Sequence, residues 1–146
     1  MNKKILTEVI AALLALLFLY AGFSKLVNMP AFTRAMHNQP FPSWFADALI
    51  WTIPPAEIIF ALGLFFDRTR KYAAYAYLIL MGLFSLYIAA ILLHLFPRVP
   101  CSCGGVIQAL SWGQHLLFNL CFTGLALAFI FLIKQSGTES RPGDGR

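Results

Sequence analysis

Four long apolar runs limit what this chain can become. The first extends from Ile5 to about Val27, the second from about Trp44 to Phe66, the third from about Tyr72 to Phe96, and the fourth from Trp112 to Ile133. Each holds roughly 20 residues, the number that crosses about 30 Å of hydrocarbon as a helix. Inside a bilayer every backbone N–H and C=O must be satisfied within the protein, and a helix does this within one segment. The side-chain balance agrees. Of 146 residues, 60% are hydrophobic and 12% charged, where a soluble domain carries about 25% charged. The expectation is an all-α integral membrane protein: a four-transmembrane-helix bundle forming one domain over residues 1–134.

The net charge of +5 raises the question of nucleic acid. The cations stand at the ends of the apolar runs, and no basic face with interleaved aromatics is present, so that class is excluded. Lys3 and Lys4 ahead of the first run look like the start of a cleaved signal. No small-x-small cleavage site follows and the stretch is long, so a retained helix is expected. The remaining cations set the orientation. Lys3, Lys4, Arg68, Arg70, Lys71, Lys134, Arg141 and Arg146 fall on one side, and Lys25, Arg34 and Arg98 on the other. The richer side marks the cytoplasm. Both termini are then inside, in a bacterial inner membrane, and the loop between the third and fourth runs is periplasmic. Trp44, Trp51 and Trp112 fall near the outer boundary, where an aromatic belt is expected.

Between the first two runs, Asn28 is positioned to cap a short helix with Pro30 in its first turn. Phe32, Ala35 and Met36 share one face of it, as in a helix lying at the outer interface. Pro40 and Pro42 end it, and Ser43 is positioned to cap the second membrane helix. The segment 135–146 is rich in Gly, Ser, Pro and charge and reads as a disordered cytoplasmic tail.

The chemistry concentrates in Cys101-Ser102-Cys103-Gly104-Gly105, in the polar gap before the fourth run. Pro97 and Pro100 bound the gap on one side. Ser111-Trp112-Gly113-Gln114 bounds it on the other, with the Ser-x-x-Gln form of a capping box. A Cys-x-Cys disulfide closes a small ring, and disulfide geometry is specific, so the bond is expected to be strained and exchangeable. Gly104 and Gly105 leave room beside the sulfurs. The alternatives are a static bridge, which would constrain little chain entropy, and metal binding. Cys121, inside the fourth run, reads as a small buried hydrophobe.

Several other residues could act with the thiols. His94 and His115 lie near the same boundary, where imidazole could tune a thiolate, or simply bond backbone or headgroup. Arg98 fits a lipid phosphate better than a thiolate. Glu57, in Pro54-Pro55-Ala56-Glu57, is an acid inside a membrane run and must face the bundle interior or a cavity. Its natural partner is Lys25. On a straight-helix count Glu57 lies about 10–15 Å deeper, so a direct pair would need a kink or a snorkelling side chain. The site then reads either as a proton, quinone or partner site or as a polar clamp between helices. Asn119 reads as an interhelical hydrogen-bonding group.

Four short helices, Gly22-Phe23-Ser24-Lys25 closing the first, Pro55-Ala56-Glu57 in the second and Cys-x-Cys-x-Gly before the fourth together resemble the MauE branch of the DoxX-like, redox-associated membrane proteins. The resemblance covers roughly residues 5–133. Cys101 and Cys103 match the family's paired cysteines and Gly105 its following glycine, while Gly104 stands where relatives often have Phe. Lys25, Pro55 and Glu57 match the wider four-helix pattern, with Asn119 the looser match. The resemblance implies periplasmic thiol–disulfide traffic beside a thioredoxin-like partner. In the family this is linked to maturation of the disulfide-rich small subunit of methylamine dehydrogenase.

The leading expectation is a membrane thiol–disulfide exchange or redox-maturation protein, with Cys101 and Cys103 as the redox pair. Whether it is an oxidoreductase in its own right stays open. Oxidation would need a sink, and a quinone between the helices near Glu57 and His115 is the candidate cofactor. A second expectation is a non-enzymatic subunit or assembly factor of a membrane complex. A third is Cu(I) handling, which two thiolates suit. Only four methionines are present and they are not clustered, so no metal site is assigned.

Overall fold

The computed structural model describes residues 2–96 and 111–139, with side chains as far as 135. Five helices lie within them: α1 (Lys3–Val27), α2 (Met29–His37), α3 (Ser43–Gly63), α4 (Asp67–Leu92) and α5 (Trp112–Glu139). All but α2 are long and apolar enough to cross a membrane. At 21 to 28 residues they measure about 31 to 42 Å. The protein is a multi-pass, all-α membrane bundle.

Named contacts fix the arrangement. Arg70, near the start of α4, forks onto Glu8 near the start of α1 at 2.8 and 3.1 Å. Its Nε also donates to the Leu64 carbonyl just past α3, at 3.0 Å. So α1 and α4 begin where α3 ends. At the far end Phe84 of α4 meets His115 of α5, with ring centroids 5.4 Å apart. The four long helices therefore run alternately up and down. Around the bundle the order is α1, α3, α4, α5, and α5 closes back onto α1. Across the middle Phe18 of α1 stacks on Tyr77 of α4, at 3.8 Å between centroids. Leu14, Ala15, Ala74 and Phe129 complete the buried centre.

The outer surface is apolar, with Leu16, Ile59, Leu86, Leu117 and Phe131 all exposed. A patch of this extent is a liability in water, and in hydrocarbon it is the expected exterior. Cys121 lies on this exposed side of α5. The buried position expected for it is corrected, because the face of α5 that meets α1 and α4 carries Asn119, Ala126, Phe129 and Ile130 instead.

The helix ends follow local chemistry in two places and depart from it in two others. Ser111 and Gln114 form the reciprocal capping box: Gln114 N donates to Ser111 Oγ at 3.3 Å and Ser111 N to Gln114 Oε1 at 2.9 Å. At the end of α4, His94 N donates to Ile91 O and Leu95 N to Ala90 O. His94 takes the left-handed conformation, φ 54°. This is a Schellman stop, with His94 where glycine is usual. Asn28 precedes α2, but its side chain makes no capping bond, since α1 runs almost directly into α2. Ser43 is the first residue of α3 rather than its cap, a place taken by Pro42. Helix α4 begins at Asp67, five residues before the apolar run, because the charged first turn Asp67–Arg70 is held by Glu8 and Leu64. Helix α5 continues through Glu139, and the rest of the expected tail lies outside the described residues.

Candidate functional site

The polar centre sits toward the end of the bundle where α1 stops. Lys25 Nζ donates to both oxygens of Glu57, at 2.8 and 2.9 Å, and to the Ala21 carbonyl at 3.2 Å. An ammonium has three donors, and all three are used. The side chains are only 17% and 10% exposed. The Phe32 ring of α2 lies 5.9 Å from the ammonium and adds a cation–π contact.

The pair is direct, and the depth count is corrected. That count set the end of α1 level with the start of α3. The close crossing of the two helices decides the matter instead. A Cβ built on Gly22 would stand 2.9 Å from Ile58 Cγ1, 3.2 Å from the Pro54 carbonyl oxygen and 3.5 Å from Glu57 Cβ. Only a glycine lets the helices approach so closely. Gly22 is therefore level with Glu57, and Lys25 stands less than one turn above Gly22.

Helix α2 packs over this pair. Phe32 and Ala35 are buried and Met36 is half-buried. Gln39, just past α2, donates from Nε2 to the Ala35 carbonyl at 3.2 Å and accepts from the Tyr87 hydroxyl. His37 Nε2 meets Asp47 Oδ1 of α3 at 3.1 Å. The short helix is thus tied to α1, α3 and α4.

His115, one turn into α5, is half-buried against the edge of Phe84 and lies within the electrostatic range of Lys25. Ser85 turns its hydroxyl back to the Met81 carbonyl at 2.8 Å. Asn119 is buried in α5, and its backbone carbonyl accepts from the Thr123 hydroxyl at 2.7 Å. The structure thus brings Lys25, Glu57 and His115 to one end of the bundle interior, with Tyr77 and Asn119 nearby. His94 is exposed beyond the end of α4. Cys101 and Cys103, with Arg98, Gly104 and Gly105, lie outside the described residues. Within those residues no three His, Cys, Asp or Glu side chains gather in a way that could hold a metal ion.

Sequence reasoning missed Tyr77, Tyr87 and Gln39. Tyrosine is common near membrane interfaces, so a tyrosine within an apolar run carries little signal by itself. Gln39 sits between Asn38 and Pro40 and reads as loop.

A family model described as "Methylamine utilisation protein MauE" matches residues 3–132. No curated protein matches the chain, and no solved structure does either.

Proposed function

The chain belongs to the MauE family, and from that premise we propose that it is a membrane thiol–disulfide exchange protein serving redox maturation. Cys101 and Cys103 are its redox pair. Its partner is a thioredoxin-like protein on the periplasmic side of a bacterial inner membrane. The observation that carries this reading is the pair of thiols one residue apart in the connection from α4 to α5. That connection joins the bundle at the end where Lys25, Glu57 and His115 gather.

The chemistry is disulfide exchange. A partner thiolate attacks one sulfur of the Cys101–Cys103 bond. A mixed disulfide forms, and the other cysteine leaves as a thiolate. The partner's second thiolate then attacks the mixed disulfide. The partner departs oxidised, with its own new S–S bond, and the chain is left as a dithiol carrying the two electrons. A cationic neighbour would hold the leaving cysteine as thiolate and speed its departure. His115 and His94 are the candidates for tuning the thiols, a neutral imidazole being able to accept the thiol proton. Re-oxidation of the dithiol then needs a two-electron acceptor.

The test is trapping. Cys101→Ser and Cys103→Ser are introduced singly, and membranes are resolved without reductant. One single variant should accumulate a mixed disulfide with a periplasmic thioredoxin-like protein, and the double variant should accumulate none. If both thiols remain reduced in cells and both prove dispensable, the exchange role is wrong. Retained function of the double variant together with stoichiometric co-purification of a membrane complex would instead identify an assembly subunit.

A further inference from the structure

The end of the bundle where α1 and α4 begin carries a surplus of positive charge. Glu8 and Asp67, the acidic side chains there among the described residues, both pair with Arg70. Lys3, Lys4, Arg68 and Lys71 are exposed and form no ion pair with a described residue. Lys134 of α5 is exposed at the same end.

Three of these cations gather around one tyrosine. Arg68, Lys71 and Tyr75 recur at spacings of three and four along α4, so they share a face of the helix. Lys134 brings its Nζ to 5.8 Å from the centroid of the Tyr75 ring. The ring is half-buried, with an ammonium reaching it from α5 and two cations on the α4 turns before it. Like charges one turn apart disfavour a helix, and an anion held among them reverses that cost.

Further from this end the same surface is apolar. Ile79, one turn on from Tyr75 along α4, is 62% exposed, and so is Phe131, one turn back from Lys134 along α5. Gly82 follows on the same face of α4, and a Cβ built on it would meet no atom within 4 Å. The stripe therefore stays open as it runs into the bilayer. Cations come first, then a tyrosine at the level of interfacial aromatics, then bare hydrocarbon-facing helix. That order fits a molecule with an anionic head and apolar tails. Basic sites between membrane helices suit phospholipid headgroups for the same reason. A zwitterionic lipid carries its own ammonium beside the phosphate and gains less from three cations.

We propose that Arg68, Lys71 and Lys134 bind the headgroup phosphate of an anionic phospholipid beside Tyr75, with its acyl chains lying along Ile79 and Phe131. This site is at the opposite end of the bundle from the Lys25–Glu57 pair and does not depend on the dithiol chemistry.

The full chain in dodecylmaltoside is titrated with dioctanoylphosphatidylglycerol, and the midpoint of thermal unfolding is followed. A lipid that binds the folded chain raises the midpoint. The expected result is a saturable rise that neither dioctanoylphosphatidylcholine nor inorganic phosphate reproduces. Lys71→Gln and Lys134→Gln should each raise the lipid concentration for half the effect about fivefold, as loss of one interfacial cation does. Each variant is compared with its own lipid-free midpoint, so a change in basal stability does not enter. Lys3→Gln removes a cation from the same end but from α1. It should shift that concentration by no more than about twofold, because a charge away from the headgroup is screened. No saturable rise, or unchanged half-effect concentrations in Lys71→Gln and Lys134→Gln, would overturn the site. An equal loss in Lys3→Gln would assign the effect to the diffuse charge of this end and overturn it as well. An equal rise with phosphatidylcholine would assign it to lipid in general, and one with inorganic phosphate to a free anion; either result also overturns it.

Discussion

Lys25 and Glu57 show how much one residue can demand of its neighbours. An isolated charge deep in a membrane bundle is costly, yet this pair satisfies every donor of the ammonium. Glu57→Gln leaves the ammonium without its counter-charge and is expected to cost on the order of 3 kcal/mol. Lys25→Met combined with Glu57→Leu removes both charges. It should lose clearly less than the sum of the single variants, because neither partner is left buried alone. Thermal unfolding of the wild type, Lys25→Met, Glu57→Leu and their double variant in detergent measures the coupling. Equal, additive losses would mean that the pair contributes nothing as a unit. Both residues were legible in the sequence because charge stands out in an apolar run. Their pairing was named in the sequence as well, but the depth at which they meet was not, because it depends on Gly22 admitting α3 to van der Waals distance. Tyr77 was not legible either. Its hydroxyl has no partner among the described residues, a state that exists only once α1, α4 and α5 have closed around it.

At the scale of an element, the end of α4 and the start of α5 frame the segment that carries the dithiol. Helix α5 begins with a reciprocal cap between Ser111 and Gln114, a stop-and-start signal written in four consecutive residues. The end of α4 is set differently. His94 adopts φ 54°, a region that costs a side-chain-bearing residue roughly 1–2 kcal/mol. His94→Gly should therefore stabilise the bundle by up to about 1 kcal/mol, the relief being partly offset by the freer unfolded chain. A rise in the midpoint of thermal unfolding in detergent checks this. A fall would mean that the imidazole makes a contact worth more than the strain. The sequence marked His94 for its chemistry near the thiols, whereas the backbone gives it a structural part as well. Helix α2 teaches the complementary lesson. Its buried face, Phe32 and Ala35, follows from helical spacing. Its anchoring through Gln39 to Tyr87 joins residues 48 positions apart, a distance no local pattern encodes.

At the scale of the whole molecule, the order α1, α3, α4, α5 around the bundle brings the first and last membrane helices together and puts Lys25 within range of His115. The orientation expected from the cations is tested with the intact chain. In unpermeabilised cells treated with reductant, a charged maleimide should label Cys101 and Cys103. A cysteine placed by Ser136→Cys should react only after permeabilisation. The reverse pattern would invert the topology and remove the dithiol from the periplasm. The sequence by itself determined that the chain crosses a membrane, how many long helices do so and where the short helix between the first two lies. Each of these follows from the length and period of apolar runs, and the need to satisfy the backbone in hydrocarbon acts on each segment separately. It also located the paired thiols, because cysteine spacing is read directly. Only the tertiary structure decided that Lys25 reaches Glu57, that Cys121 lies on the outer face, and that Tyr77 and Asn119 are left with unused donors among the described residues. Those outcomes depend on which helix faces meet and how closely, and in a bundle whose exterior and interior are both apolar, hydrophobic pattern alone does not distinguish one face from another.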